Sequence, residues 1–337
     1  MSPASPHSGP EWTSRLLAIT MMAVITPFSL AQLSLHGEIG FGADFAASTT
    51  AGDVSNTFSA SYRLHLEASY ALDPISLNLS LDPAARALDN SPTKSLVEVG
   101  LTEVYILWRG DSVDVSVGIE RLPLEAARLN IPYSIEPRAS TGLPRGLPGA
   151  RASLFVGPWR VRSAIIYRAP HPGLVASVRH NFSSFELEVH ALYLDSFAAG
   201  LSGSGLVGPL VLYGEAWLLT TPFDGRGALG LSGPLDNALW TLEAAYSPPL
   251  VAPEAAPLPQ VAGQLNLPVG NAWSLDINGS VSLIDSALNP GSSTLQGLMI
   301  VTFNLSSPNY TLSLGPSLAH TELTTNYGIG VELKGFF

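Results

Sequence analysis

Apolar and polar residues alternate along most of the chain from Gln32 onward. Leu33, Leu35, Ile39, Phe41, Ala43 and Phe45 alternate with Ser34, His36, Glu38 and Asp44. Tyr62, Leu64, Leu66, Ala68 and Tyr70 alternate with Arg63, His65, Glu67 and Ser69. The same pattern recurs over 75–82, 113–120, 160–168, 185–193, 240–246, 273–283 and 309–318. A period of two places successive side chains on opposite faces of a strand, whereas a helix would need 3.6. Less regular apolar segments over 96–108, 151–157, 174–182, 196–203, 210–221, 226–232, 259–267 and 294–305 bring the expectation to about 16–18 strands with turn residues between them. No internal repeat of fixed period argues for a propeller or solenoid.

The last eleven residues, YGIGVELKGFF, alternate as well until Phe336 breaks the pattern, with Gly335 continuing the apolar face. Tyr327, Ile329, Val331, Leu333 and Phe337 share one strand face, and Gly328, Gly330, Glu332 and Lys334 the other. At the opposite end, Arg15 precedes the apolar run LLAITMMAVITPFSLA, which ends in the small-residue pattern Ser29-Leu30-Ala31. That is the layout of a cleaved secretion signal, with the mature chain starting at Gln32. The run is too short for a membrane anchor and is interrupted by Pro27; a spanning helix needs about 20 apolar residues. Residues 1–14 read as an unstructured leader. No later segment is long and apolar enough to cross a membrane as a helix.

A secreted, strand-rich chain ending in an aromatic resembles the bacterial outer-membrane β-barrel proteins. Its final stretch is similar to their C-terminal assembly signal, carried here by Tyr327, Ile329, Val331, Leu333 and Phe337. The resemblance implies a porin-like, closed antiparallel transmembrane β-barrel over residues 32–337, located in the outer membrane after export. It implies lipid and the barrel-assembly machinery as partners. Tyr62, Tyr70, Trp108, Phe182, Phe185, Tyr193, Trp273, Tyr310 and Phe337 sit at segment ends, as girdles of interfacial aromatics would. A soluble β-sandwich alternates too; the secretion signal and the terminal strand favour the barrel. Pairing of Tyr327–Phe337 with Leu33–Phe45 would close it without an exposed edge.

The longest departure from alternation is 122–149, PLEAARLNIPYSIEPRASTGLPRGLPG after Leu122, rich in proline, glycine and arginine. Only LEAARL suits a helical turn. Connections of this length are commonly functional, and inside a barrel such a loop folds inward and narrows the pore. The segment VGIERLPLEAARLNIP is also similar to outer-membrane barrels of the alginate-export type. There a strand ending in Gly-x-x-x-Leu-Pro leads into a loop with an Asn-Pro; here Asn130-Ile131-Pro132 departs from that pattern.

Charge sharpens this picture. Ten of the fourteen arginines lie between Arg109 and Arg179, against five acids, whereas twelve acids and only Arg226 and Lys334 follow. Neighbouring strands are neighbours around a barrel, so one wall sector should be basic and the next acidic. Charge ladders of this kind select ions. Arg128, Arg138 and Arg145 on the loop, with Arg160, Arg162, Arg168 and Arg179 on the wall, are the expected solute-contacting groups. They suit carboxylates or phosphates, which arginine binds in a bidentate manner. The alternative role is structural, with the same arginines pairing Glu120, Glu186 and Glu188 to brace the barrel.

Other chemistry is poorly specified. The net charge of −11 argues against nucleic-acid binding. With no cysteine, disulfides and thiolate metal sites are excluded. His36, His65, His171, His180, His190 and His320 lack metal-ligand spacing. Gly203 to Gly208 matches G-x-G-x-x-G, but Pro209 and a strand follow rather than the helix a dinucleotide needs. Neither cofactor nor metal is expected. The expected function is passive passage of small hydrophilic, anionic solutes. A closed structural barrel and, third, a barrel enzyme remain as alternatives.

Overall fold

The computed structural model describes residues 33–337 apart from 51–52, 89–95, 123, 125–126, 130–132, 137–144, 222, 248–257, 286–292 and 322–323. The expected secretion signal at 1–31 therefore lies outside the described residues. Eighteen strands form one antiparallel sheet in which each strand pairs with its sequence neighbours and β1 (Leu33–Thr50) closes on β18 (Thr324–Phe336). No helix occurs among the described residues. Closure leaves no row of unpaired backbone groups, the condition for a sheet to cross a bilayer.

The strands alternate as the sequence does. In β7 (Trp159–Arg168) Val161, Ile165 and Tyr167 point outward and are exposed, while Arg162, Ala164 and Ile166 point into the lumen and are buried. β18 likewise presents Tyr327, Ile329, Val331 and Leu333 to the outside. The outward apolar band is the membrane-barrel pattern, while the lumenal face mixes polar groups such as Arg162 with apolar ones such as Ala164 and Ile166.

The two ends of the barrel differ. At the end holding Leu33 and Phe337, the connections are two or three residues long: 73–74, 110–112, 157–158, 182–184, 208–209, 236–237, 270–272 and 308–309. Gly157, Gly208, Asp236 and Gly270 take positive φ there, which tight turns require. The G-x-G-x-x-G run thus ends in such a turn, between β10 (Phe197–Val207) and β11 (Leu210–Thr220). All longer connections lie at the other end, and the longest is 121–146, between β5 (Val113–Glu120) and β6 (Leu147–Val156). Its last residues by sequence pattern, Leu147, Pro148 and Gly149, already pair with β5.

The seam joins the two chain ends. β1 and β18 pair from Glu38↔Phe336 to Thr50↔Thr324. Gly37 and Phe337 extend the ladder by exchanging N–H···O bonds of 3.0 and 3.1 Å. The Phe337 ring lies over Gly37, where an added Cβ would stand 2.2 Å from it. On the lumen side Lys334 Nζ sits 3.3 Å from Glu38.

Candidate functional site

The lumen of the basic sector is organised around one carboxylate. Glu188, on β9 (Phe185–Tyr193), accepts from Ser177 Oγ at 2.6 Å and from Arg179 Nε at 2.7 Å, both on β8 (His171–Asn181). Arg160 and Arg162, on β7, approach it to 3.4 and 3.9 Å. These side chains meet because Arg160 lies opposite Arg179, and Arg179 opposite Glu188, across adjacent strands. Cross-strand neighbours on one face are within side-chain reach. Arg179 also holds Glu186 at 2.9 Å, and Arg151 holds Glu120 at 2.5 Å. Three guanidiniums around Glu188 and Glu186 leave a surplus positive charge facing the lumen. The acids expected to brace the arginines are thus the ones found beside them.

The described residues of loop 121–146 reach into this lumen. Its root is held at β4 (Leu96–Arg109), where a register shift opposite Ser80 and Leu81 re-aims the chain. The Arg121 N–H donates to Glu103 at 2.8 Å, and the Gly146 N–H to the Thr102 carbonyl at 2.9 Å. Leu122, Leu124 and Ile135 then pack on Ala164, Ile166, Val175, Leu192, Ala198 and Trp217. Tyr133 packs on Trp217 with ring centroids 4.9 Å apart and the rings tilted by 41°. Burial pushes the Tyr133 hydroxyl above its ordinary pKa, so it stays protonated in neutral solution. Burying three aliphatic side chains contributes on the order of 5 kcal/mol toward keeping the loop inside.

The remaining predicted arginines are dispersed. Arg128 lies on the loop with its guanidinium 4.8 Å from the centre of the Tyr213 ring. Arg145 is half-buried near the loop's return to the wall. Arg168 ends β7 and is exposed. Arg138 lies outside the described residues. Arg160, Arg162 and Arg179 are brought together; Arg128, Arg145 and Arg168 are not part of that cluster.

Several lumenal residues escaped the sequence pattern. Tyr213, Glu215, Trp217 and Glu243 are buried on the inner face, on β11 and β13 (Ala238–Ser247). One signal was available: β9 and β11 carry apolar residues on both faces, among them Leu192 and Trp217. Apolar side chains on a lumenal face mean that something dry covers them. A second polar cluster lies on β2 (Asp53–Leu72) and β3 (Ile75–Leu88). There Asp82 takes His65 Nδ1 at 2.7 Å and Arg63 at 3.5 Å, and also accepts from Thr102. No metal-binding group occurs among the described residues.

No protein-family model matches the chain, and no curated protein matches it significantly. Solved structures do share its fold. OpdQ of Pseudomonas aeruginosa superposes with a TM-score of 0.63 at 9% identity, covering 91% of this chain and 98% of that one. OccK2 (OpdF) of the same organism, solved in complex with glucuronate, gives 0.61 at 9% identity, with 90% and 98% covered. The outer membrane protein OpdK, also from Pseudomonas aeruginosa, gives 0.57 at 9%, with 90% and 98% covered. These neighbours are outer-membrane porins.

Proposed function

We propose that this protein is an outer-membrane channel for passive passage of small hydrophilic solutes, with anions preferred. The observation that carries this reading is an eighteen-stranded barrel whose lumen holds a surplus of arginine beside an inward-folded loop. A loop in the lumen narrows the path, and fixed charge at a constriction discriminates between ions. Likeness in fold to a porin solved with glucuronate, a carboxylate, points the same way. Arg160, Arg162 and Arg179 are the wall contacts in this reading, with Arg128, Arg138, Arg145 and Arg168 at the loop and at the long-loop end. That end faces outside the cell, because short turns belong on the periplasmic side. Export through a signal at 1–31, insertion through the Tyr327–Phe337 strand and contact with lipid complete the reading.

A second reading, a closed barrel with a structural role, draws support from the apolar packing between loop and wall. Planar bilayers separate the two. The channel reading expects stepwise conductance and a reversal potential of anion-selective sign across a potassium chloride gradient. Absence of conductance overturns it in favour of the closed barrel. Cation selectivity overturns the role of the arginines alone.

A further inference from the structure

Loop 121–146 is rooted on β5 and β6, yet its tip touches the far wall. β11 and β13 lie six and eight strands on from β5 in a ring of eighteen, so the segment crosses much of the lumen. The contacts there are specific. Glu243 is fully buried, and its Oε2 accepts the N–H groups of Arg128 at 2.9 Å and Leu129 at 3.2 Å. The same oxygen accepts the Tyr213 hydroxyl at 3.0 Å. Glu215, also buried, accepts the Ala127 N–H at 3.3 Å. The Arg128 guanidinium lies over the Tyr213 ring, adding positive charge on the same side. Three successive backbone amides therefore close on two wall carboxylates.

A carboxylate buried this way is costly unless donors satisfy it. The loop supplies most of the donors seen here, so wall and loop each complete the other. We propose that Glu243, with Glu215 beside it, is the anchor that holds the loop tip across the lumen and so sets the bore of the pore. The effect on bore rests on the channel reading; the anchoring does not.

The test combines trypsin and bilayers on the full chain, using Glu243→Ala, Glu243→Gln and Tyr213→Phe. Trypsin is too large to enter the lumen, so cleavage after Arg128 reports release of the tip. Charge-assisted hydrogen bonds are the strong ones, and cleavage tracks the open population. Glu243→Ala is expected to raise cleavage at Arg128, identified by mass spectrometry, about tenfold or more. Glu243→Gln and Tyr213→Phe should give smaller increases, and they carry the test if the alanine variant does not fold. Equal cleavage in the wild type and every folded variant overturns the anchor. In bilayers the released variants should conduct roughly twice as well, since the obstruction leaves the path. Unchanged conductance in variants that are cleaved faster overturns the link to bore. If the wild type passes no current, the channel reading fails, and the tryptic rates alone decide the anchor.

Discussion

Glu188 is the residue on which the basic wall balances. Without its carboxylate, Arg160, Arg162 and Arg179 would face one another with Glu186 as the remaining acid paired to them among the described residues. Glu188→Gln is therefore expected to strengthen anion preference, read as a larger reversal potential of anion-selective sign. The same change should destabilise the barrel by about 1–3 kcal/mol, because the buried Arg162 and the half-buried Arg160 and Arg179 lose a charged acceptor; thermal unfolding in detergent measures it. The arginine cluster was legible in the sequence, since Arg160 and Arg162 share parity within one strand and Arg179 follows on the next. Glu120, Glu186 and Glu188 were legible as candidate partners, but that Glu188 is the one shared by all three was not, because that depends on the register between β7, β8 and β9.

At the scale of elements, two glycines show what the strand pattern conceals. Gly118, the glycine of the Gly-x-x-x-Leu-Pro stretch, has φ +147°. A Cβ there would lie 2.2 Å from the Val104 carbonyl oxygen. Gly118→Val should cost about 1–3 kcal/mol through backbone strain. It should also disturb conductance, because the loop leaves the wall three residues later. Gly37 receives the Phe337 ring at the seam. Gly37→Val and Phe337→Ala both remove that contact, and each should lower the stability of refolded barrel by about 1 kcal/mol. Only Phe337→Ala removes the terminal aromatic, so only that variant should lower the amount assembled in cells. Equal assembly of the two would count against the terminal strand as the assembly signal.

At the scale of the whole molecule, the barrel presents two different solvents to its two faces. Ile165 faces outward and is 60% exposed. Ile165→Arg is expected to cost about 2–4 kcal/mol in lipid at mid-depth. Asn78→Arg, on the lumenal face beside Glu67 and Glu103, should cost little; equilibrium unfolding in lipid vesicles compares the two. Selectivity should also depend on salt. The screening length falls from about 10 Å in 0.1 M salt to about 3 Å in 1 M. Anion preference measured from dilute gradients should therefore shrink in concentrated ones, whereas a bore set by the loop alone would not respond.

The sequence by itself determined the strands, their two faces, the closure of the last strand on the first, and the uneven placement of charge. Those follow from local periodicity and from counting, because a side-chain period of two is written residue by residue. The destination of the 121–146 segment was decided only by the tertiary structure. In the sequence Glu215 and Glu243 are two acids among the twelve after Arg179, and Trp217 is one residue of the less regular 210–221 segment. Each acquires its role from a segment about 90 to 115 residues away in the chain. That meeting depends on the curvature that brings opposite walls of the barrel within reach of one loop. No local pattern in the sequence encodes that distance.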